Sequence, residues 1–315
     1  VSPASPKELA AWCATAATLS AALTYLFTRV ALATGLLDRP NARSSHERPT
    51  PRGGGLAIVI VLLVAVGALA ARGWVGPAHG GWLLLGLGVI AVMSGIDDVA
   101  TISPRVRLVA QLVAAVVATI AAGPARAIDL GWLGSYDLGP AGWVLTVLWI
   151  VGMTNAFNFM DGIDGIAGIT AAVALGVVSG GFWLSGDGYG ALLAAAVAAA
   201  ALGFLVWNWQ PARVFMGDVG SASLGYTIAV LPLLAGEAER RWLLPLSVAV
   251  MWPFLLDTTL TFLRRLRNGE NVLEAHRSHF YQRLVIGGWS HATVAVMYGC
   301  ASLAAGLAAL AARGV

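Results

Sequence analysis

The run Asn155-Ala-Phe-Asn-Phe-Met-Asp-Gly-Ile-Asp-Gly-Ile-Ala-Gly-Ile169 sets two carboxylates, Asp161 and Asp164, and two amides, Asn155 and Asn158, into otherwise apolar sequence. An Asp at a bilayer centre costs roughly 2.5–3.5 kcal/mol on insertion scales, so such residues mark a membrane edge or a wet cavity and usually serve a function. On a helix end the i, i+3 spacing gives Asp161 and Asp164 one shared face. Gly162, Gly165 and Gly168 leave that face open to a bulky ligand.

Four more polar stretches carry candidate chemistry. Ser94-Gly-Ile-Asp97-Asp98 ends an apolar segment. Adjacent carboxylates point about 100° apart on a helix, so they suit different tasks. One would bind Mg²⁺ or take a proton while the other orients it; the alternative is an N-cap for the following helix. Phe215-Met-Gly-Asp218-Val-Gly-Ser221 places a carboxylate between glycines. Mg²⁺ is held by one or two carboxylates plus substrate phosphates, which suits Asp218, while Phe215 could stack on a base; a plain turn with a helix cap is the alternative. Glu274-Ala-His276-Arg277-Ser-His279-Phe-Tyr-Gln-Arg283 combines two histidines with two arginines. That mixture suits phosphate recognition or a basic strip on anionic headgroups; a zinc site lacks a third soft ligand. In Ser45-His-Glu-Arg48-Pro-Thr-Pro-Arg52-Gly-Gly-Gly55, the arginines and triple glycine could wrap a pyrophosphate, or simply set topology. Arg105 and Arg107 would neutralise phosphate charge or anchor at the membrane surface. His46, His79 and His291 receive no role. Cys13 and Cys300 form no metal or disulfide pattern and read as buried free thiols. Walker, Gly-x-Ser-x-Gly and haem motifs are absent. These ingredients fit Mg²⁺-dependent transfer of a phosphate-bearing group to or from a lipid.

The elements that must position these groups are membrane helices. Of the 315 residues, 58% are hydrophobic and only 11% charged, far from the soluble norm of about 25% charged. The net charge of +3 is too weak to suggest nucleic acid as a partner. The spacing predicts an all-α, polytopic bundle forming one domain over 1–315. Ten spans are expected near 9–29, 53–71, 81–96, 106–122, 141–157, 166–184, 189–207, 222–236, 242–263 and 291–312. The first apolar stretch reads as a retained span, because more spans follow it. Assigning alternate loops to opposite sides, starting with 29–52, puts thirteen of the nineteen basic residues on one side. By the positive-inside rule that side is cytoplasmic and both termini face outward. Every polar motif above then falls on the cytoplasmic side, so the site is expected at that membrane surface rather than at the midplane, where transporter sites lie.

In this order the motifs Pro49-Thr-Pro-Arg-Gly-Gly-Gly55, Asp97-Asp98, Asn155–Gly165, Phe215–Ser221 and His276-Arg-Ser-His279 resemble the polyprenyl-phosphate N-acetylhexosamine-1-phosphate transferases. That family includes phospho-N-acetylmuramoyl-pentapeptide translocase and the enzymes that start O-antigen and teichoic-acid synthesis. The resemblance covers about three-quarters of the chain. It implies a bacterial inner-membrane enzyme of ten or eleven spans that transfers a sugar-1-phosphate from a UDP-N-acetylhexosamine-type donor to undecaprenyl phosphate, releases UMP and initiates a surface polysaccharide. Asp218 then looks like the Mg²⁺ ligand, with Mn²⁺ as a substitute. Asp97, Asp98, Asp161, His276 and His279 look like catalytic positions. Arg48, Arg52, Arg105, Asn155, Asn158, Asp164, Phe215 and Arg277 look like substrate-binding positions, with Asp164 and Phe215 at the uracil. His-Arg-Ser-His departs from the translocase's run of histidines and is closer to the O-antigen-initiating branch. Polyprenyl phosphate is largely dianionic at neutral pH, its second pKa being near 6, so direct attack needs no general base; a phospho-aspartyl route is the competing scheme.

A secondary transporter is the rival reading and expects acidic residues near span centres, where only Asp257 comes close. An alcohol phosphotransferase acting on CDP-lipids expects further acidic residues after Asp164 that are missing here. A homodimer through the small-residue face Ala191–Ala201 follows from packing tendency.

Overall fold

The computed structural model describes residues 5–40, 48–74, 77–100, 102–272 and 276–313. The chain runs through helices α1 (Pro6–Thr34), α2 (Leu56–Ala71), α3 (Pro77–Val99), α4 (Pro104–Ala122), α5 (Ala141–Met160), α6 (Ile166–Leu184), α7 (Gly188–Asn208), α8 (Asp218–Val230), α9 (Glu237–Val250), α10 (Trp252–Arg267), α11 (Phe280–Ile286) and α12 (His291–Ala312). Two small antiparallel ribbons interrupt them, β1 (Leu37–Asp38) with β2 (Thr50–Pro51) and β3 (Ala127–Asp129) with β4 (Ser135–Asp137). This is an all-α, multi-pass membrane architecture. Its outward-facing leucines and valines, such as Leu85, Val92 and Leu148, are exposed because lipid is their solvent.

Among the described residues, seven helices are long and apolar enough to cross a bilayer, and the α9–α10 pair makes an eighth. The expectation of ten full spans is therefore corrected. Apolar helices do occupy all ten predicted places, but α2 has 16 residues and α8 has 13 before a short 3₁₀ turn, Leu231–Leu234. A full crossing needs about 20 residues. The span predicted over 242–263 is broken by a 66° bend between α9 and α10. Pro253 sits in the first turn of α10, where its ring and missing N–H forbid a continuous helix.

α7 is apolar on every side, and α1 and α6 enclose it. A Cβ on Gly203 would fall 2.2 Å from the Ala17 carbonyl oxygen, so α1 and α7 cross at backbone distance. Ser20 Oγ donates to the Ala200 carbonyl at 2.7 Å and Trp207 Nε1 to that of Ala21 at 2.9 Å, tying the same pair. Ala191–Ala201 is buried by this internal packing, which corrects the expectation that its small-residue face forms a dimer. The cysteines are free as predicted, but they are not buried: Cys13 is half-buried and Cys300 exposed.

The helices bring the polar motifs to one end of the bundle. At the other end, Arg240 donates to the carbonyls of Gly123 at 2.9 Å and Leu233 at 2.7 Å, closing the turns after α4 and α8. Its guanidinium thus satisfies helix-end acceptors that lipid cannot.

Candidate active site

The site begins with two loops zipped together. Phe215 N–H donates to the Pro51 carbonyl at 2.8 Å, Gly54 N–H to that of Phe215 at 3.0 Å, and Gly55 N–H to that of Met216 at 2.9 Å. Gly55 and Gly220 then meet face to face: a Cβ on Gly55 would lie 2.5 Å from Gly220 Cα. The triple glycine therefore lets the start of α2 pack on the start of α8. Gly55→Ala should cost about 1–3 kcal/mol through overpacking, whereas Gly67→Ala, with nothing within 4 Å of the new Cβ, should be neutral or slightly stabilising. Thermal unfolding in detergent checks both.

This docking points Arg52 at two carboxylates, Asp98 Oδ1 at 2.9 Å and Asp218 Oδ1 at 3.0 Å. Asp98 is also the cap of α8. Its Oδ1 accepts from Asp218 N–H at 2.8 Å and its Oδ2 from Val219 N–H at 3.1 Å. Gly217, at φ +76°, makes room for it, since a Cβ there would lie 2.7 Å from Asp98 Oδ2. The N-cap alternative for the paired aspartates is thus realised, but across space on α8 and not on the helix that follows in sequence. Asp97 binds inward: its Oδ1 accepts from Ile102 N–H at 2.7 Å and its Oδ2 pairs with Arg107 Nη1 at 2.7 Å. The same nitrogen lies 3.4 Å from Asp218 Oδ2. Asp218 is thereby held between two guanidiniums at the N-terminus of a helix.

α5 closes the site from another side. Gly225 packs on α5 at Met153 and Thr154, and one turn beyond that crossing Asn158 Nδ2 donates to Ser221 Oγ at 2.8 Å. Asn155 bonds the amide oxygen of Gln111 and the Val151 carbonyl. Asp161 follows the last residue of α5. Burial, and then the neighbouring Asp218, push its carboxyl up to about 7. Around Arg52 the order is reversed: its burial is outweighed by Asp98 and Asp218, which hold the guanidinium charged.

A cavity of about 370 Å³ opens beside this cluster, reached by Asp218, Arg107, Asn155 and Asn158. His276 and His279 enter it from the loop before α11. Leu108, Phe159 and Phe262, on α4, α5 and α10, give it an apolar wall. Arg264 donates to the Ser278 carbonyl, and Arg265 bonds Glu270 at 2.9 Å and the Asn271 carbonyl at 2.8 Å, so the end of α10 holds this loop down.

Asp97, Asp98, Asp161, Asp218, Arg52, Asn155, Asn158, His276 and His279 are thus brought together as expected, with Arg277 on the same loop and half-buried. Three others are placed differently. Arg105 is exposed, and Arg107, two residues on, takes its place because it lies on the inner side of α4. The side chain of Arg48 is also exposed, at the foot of β2. Asp164 is occupied: its Oδ2 accepts from Ala212 N–H at 3.0 Å and its Oδ1 lies 3.4 Å from His291 Nδ1. His291, given no role from sequence, also accepts from Asp164 N–H at 3.3 Å. Phe215 is half-buried and its backbone holds the Pro51–Gly54 loop. Ser45, His46 and Glu47 of the arginine-glycine motif, and Glu274 of the histidine motif, lie outside the described residues. Sequence reasoning missed Gln111 and Arg265 as cavity residues, and Asp257 beneath His279. A lone Asp in the apolar run 242–263 was the available signal for Asp257.

The glycosyl transferase family 4 model matches residues 81–236, which span α3 to the turn after α8. The chain is 33% identical to a probable undecaprenyl-phosphate N-acetylglucosaminyl 1-phosphate transferase of Bacillus subtilis, over 88% of this chain and 77% of the relative. The chain belongs to glycosyl transferase family 4. Other relatives of this family 4 protein are the undecaprenyl-phosphate alpha-N-acetylglucosaminyl 1-phosphate transferase of Salmonella typhi, at 30% identity over 84% of this chain and 73% of the relative, and the decaprenyl-phosphate N-acetylglucosaminephosphotransferase of Mycobacterium leprae, at 30% over 82% and 72%. The family resemblance read from the motifs is confirmed. The family model also takes in Asp97, Asp98, Asn155, Asn158, Asp161, Asp164 and Asp218, while the Arg52 loop and the histidine loop lie outside its range.

Proposed function

We propose that this family 4 protein transfers a sugar-1-phosphate of the N-acetylhexosamine type from a UDP-sugar to undecaprenyl phosphate at the cytoplasmic face of a bacterial inner membrane, beginning a surface polysaccharide. The observation that carries this reading is the two-sided cavity. Arg107, Asp218 and the asparagines form a polar end for phosphates, and Leu108, Phe159 and Phe262 form an apolar wall for a polyprenyl chain. The names of the relatives agree with it. A transporter would need its charges near midplane; here they cluster at helix ends.

The donor set fits Mg²⁺. Four carboxylates, Asp97, Asp98, Asp161 and Asp218, face two guanidiniums, which leaves two negative charges when all four are ionised. Among the described residues no three acidic, histidine or cysteine side chains converge as a closed cage, so substrate phosphates would supply most of the ligands to the ion. Asp218 would hold it, assisted by Asp97 or Asp161, and Mg²⁺ when bound neutralises charge on the diphosphate.

The route we favour is direct. An oxygen of the dianionic lipid phosphate attacks the phosphorus bonded to the sugar oxygen. The bond from that phosphorus to the bridging oxygen breaks, and UMP leaves with the electron pair. A dianionic phosphate needs no base, and Asp97 and Asp98 are bonded to backbone N–H groups and arginines, so we assign them to holding the site rather than to nucleophile or base. Arg52 and Arg107 are placed to grip phosphate oxygens as these enter.

UMP release from purified protein, undecaprenyl phosphate, Mg²⁺ and a panel of UDP-amino sugars, with and without EDTA, tests the reading. EDTA-sensitive release with one donor is expected and names the sugar. Folded protein that binds neither UDP nor undecaprenyl phosphate would overturn it. The pH profile is a second check. With the ionised form of Asp161 active, kcat/KM at low Mg²⁺ should rise with pH toward about 7 as its carboxyl loses its proton, and the rise should move to lower pH as Mg²⁺ is added. Asp161→Asn should lack that rising limb.

A further inference from the structure

Asp257 on α10 is 2% exposed and takes no part in the transfer described above. It nevertheless accepts five hydrogen bonds. Oδ1 accepts from His279 Nδ1–H at 3.1 Å, Phe280 N–H at 2.9 Å and Thr261 Oγ at 3.2 Å. Oδ2 accepts from Tyr281 N–H at 3.1 Å and the Tyr298 hydroxyl at 2.7 Å. A carboxylate can only accept, so His279 Nδ1 carries a proton, and Nε2 is the nitrogen left for the cavity. Tyr281 stacks on the same imidazole, with ring centres 5.8 Å apart, and locks its plane.

His276 is set the other way. Its Nδ1 accepts from Ser278 N–H at 3.3 Å and lies 2.8 Å from Ser278 Oγ. Burial, and then His279, push it down to about 4. It is therefore neutral at physiological pH with its proton on Nε2. The two rings lie 4.9 Å apart and both line the cavity.

We propose that Asp257 is a positioning residue that holds the neutral His279 ring as its Nδ1–H tautomer, with Nε2 bare toward the cavity, so that the two histidines meet the sugar-phosphate as a donor and an acceptor. On this assignment, which rests on the transferase reading, His276 Nε2–H donates to a phosphate oxygen. His279 Nε2 accepts from a hydroxyl or an amide N–H of the sugar. Oxidised or reduced groups play no part; the pair recognises and orients.

The test begins with nitrogen NMR of ¹⁵N-histidine-labelled protein in lipid at pH 8. The chain has five histidines, and the His279 signals are assigned by their loss in His279→Gln. The wild type should show His279 protonated on Nδ1 and bare on Nε2, and Asp257→Asn should change that state. A proton on Nε2 in the neutral wild-type ring, or an unchanged tautomer in the variant, overturns the proposal. The wild-type spectrum needs no variant at Asp257 to fold. Kinetics supply the second arm. Asp257→Asn should lower kcat at least about 10-fold, the scale seen when a histidine's orienting partner is lost, with KM moving less than about threefold. In a His279→Ala background the same change should alter kcat less than about twofold. Equal losses in both backgrounds would reduce Asp257 to a helix anchor and overturn its action through His279. Absence of UMP release from wild type would overturn the transferase reading and leave the NMR result standing on its own.

Discussion

Asp218→Asn should lower UMP release by at least about 10²–10³-fold, the scale on which one electrostatic element of a phosphoryl-transfer site acts, while the protein stays folded. The two halves of this expectation have separate causes. Asp218 is the carboxylate that reaches the cavity, and it is flanked by Arg52 and Arg107. An amide has nearly the same shape but no charge to offer a cation. The fold does not depend on that charge, because the backbone N–H of residue 218 remains capped by Asp98 and Arg52 keeps its 2.9 Å contact with Asp98. Initial rates with thermal unfolding in detergent would show the split. Wild-type rates in the variant would remove Asp218 from the site.

Asp98→Ala should do the opposite and damage the fold first. The Asp98 side chain is 5% exposed and joins Arg52 to the first two N–H groups of α8. Its removal leaves Arg52 to Asp218 and strips two helix-end donors of their acceptor, for which a loss of about 2–4 kcal/mol is the expected scale. Activity should fall with it, since α8 carries Asp218. Asp98→Asn should lie between, because its one amide oxygen can still accept from a single N–H. The unfolding temperatures of the three proteins check the order. An unchanged midpoint for Asp98→Ala would mean that the packing of α8 on α2 and α5 holds it in place without this cap.

The two substitutions show why neighbouring residues of one motif class need different tests. Asp97 and Asp98 read alike in the chain, yet Asp98 serves α8, five helices on in the chain and packed against α3, while Asp97 serves Arg107. Likewise Asp161 and Asp164 share a three-residue spacing, but Asp164 is consumed by the Ala212 turn and His291.

The sequence by itself determined the helical places, because a bilayer demands apolar runs of a certain length and rejects charge within them. It also determined that the polar motifs belong to one end, through the distribution of arginines and the loops in which the motifs lie. The family was legible from the same motifs. Only the tertiary structure decided which side chains meet. The 66° break at Pro253, the close crossing of Gly55 on Gly220, and the choice of Arg107 over Arg105 depend on how helices pack against one another. So does the bond from Asp257 to His279, whose partners lie 22 residues apart across the loop after α10. Hydropathy is a property of each segment and can be read along the chain. A hydrogen bond between segments is a property of their distance and direction, and those exist only once the helices are packed.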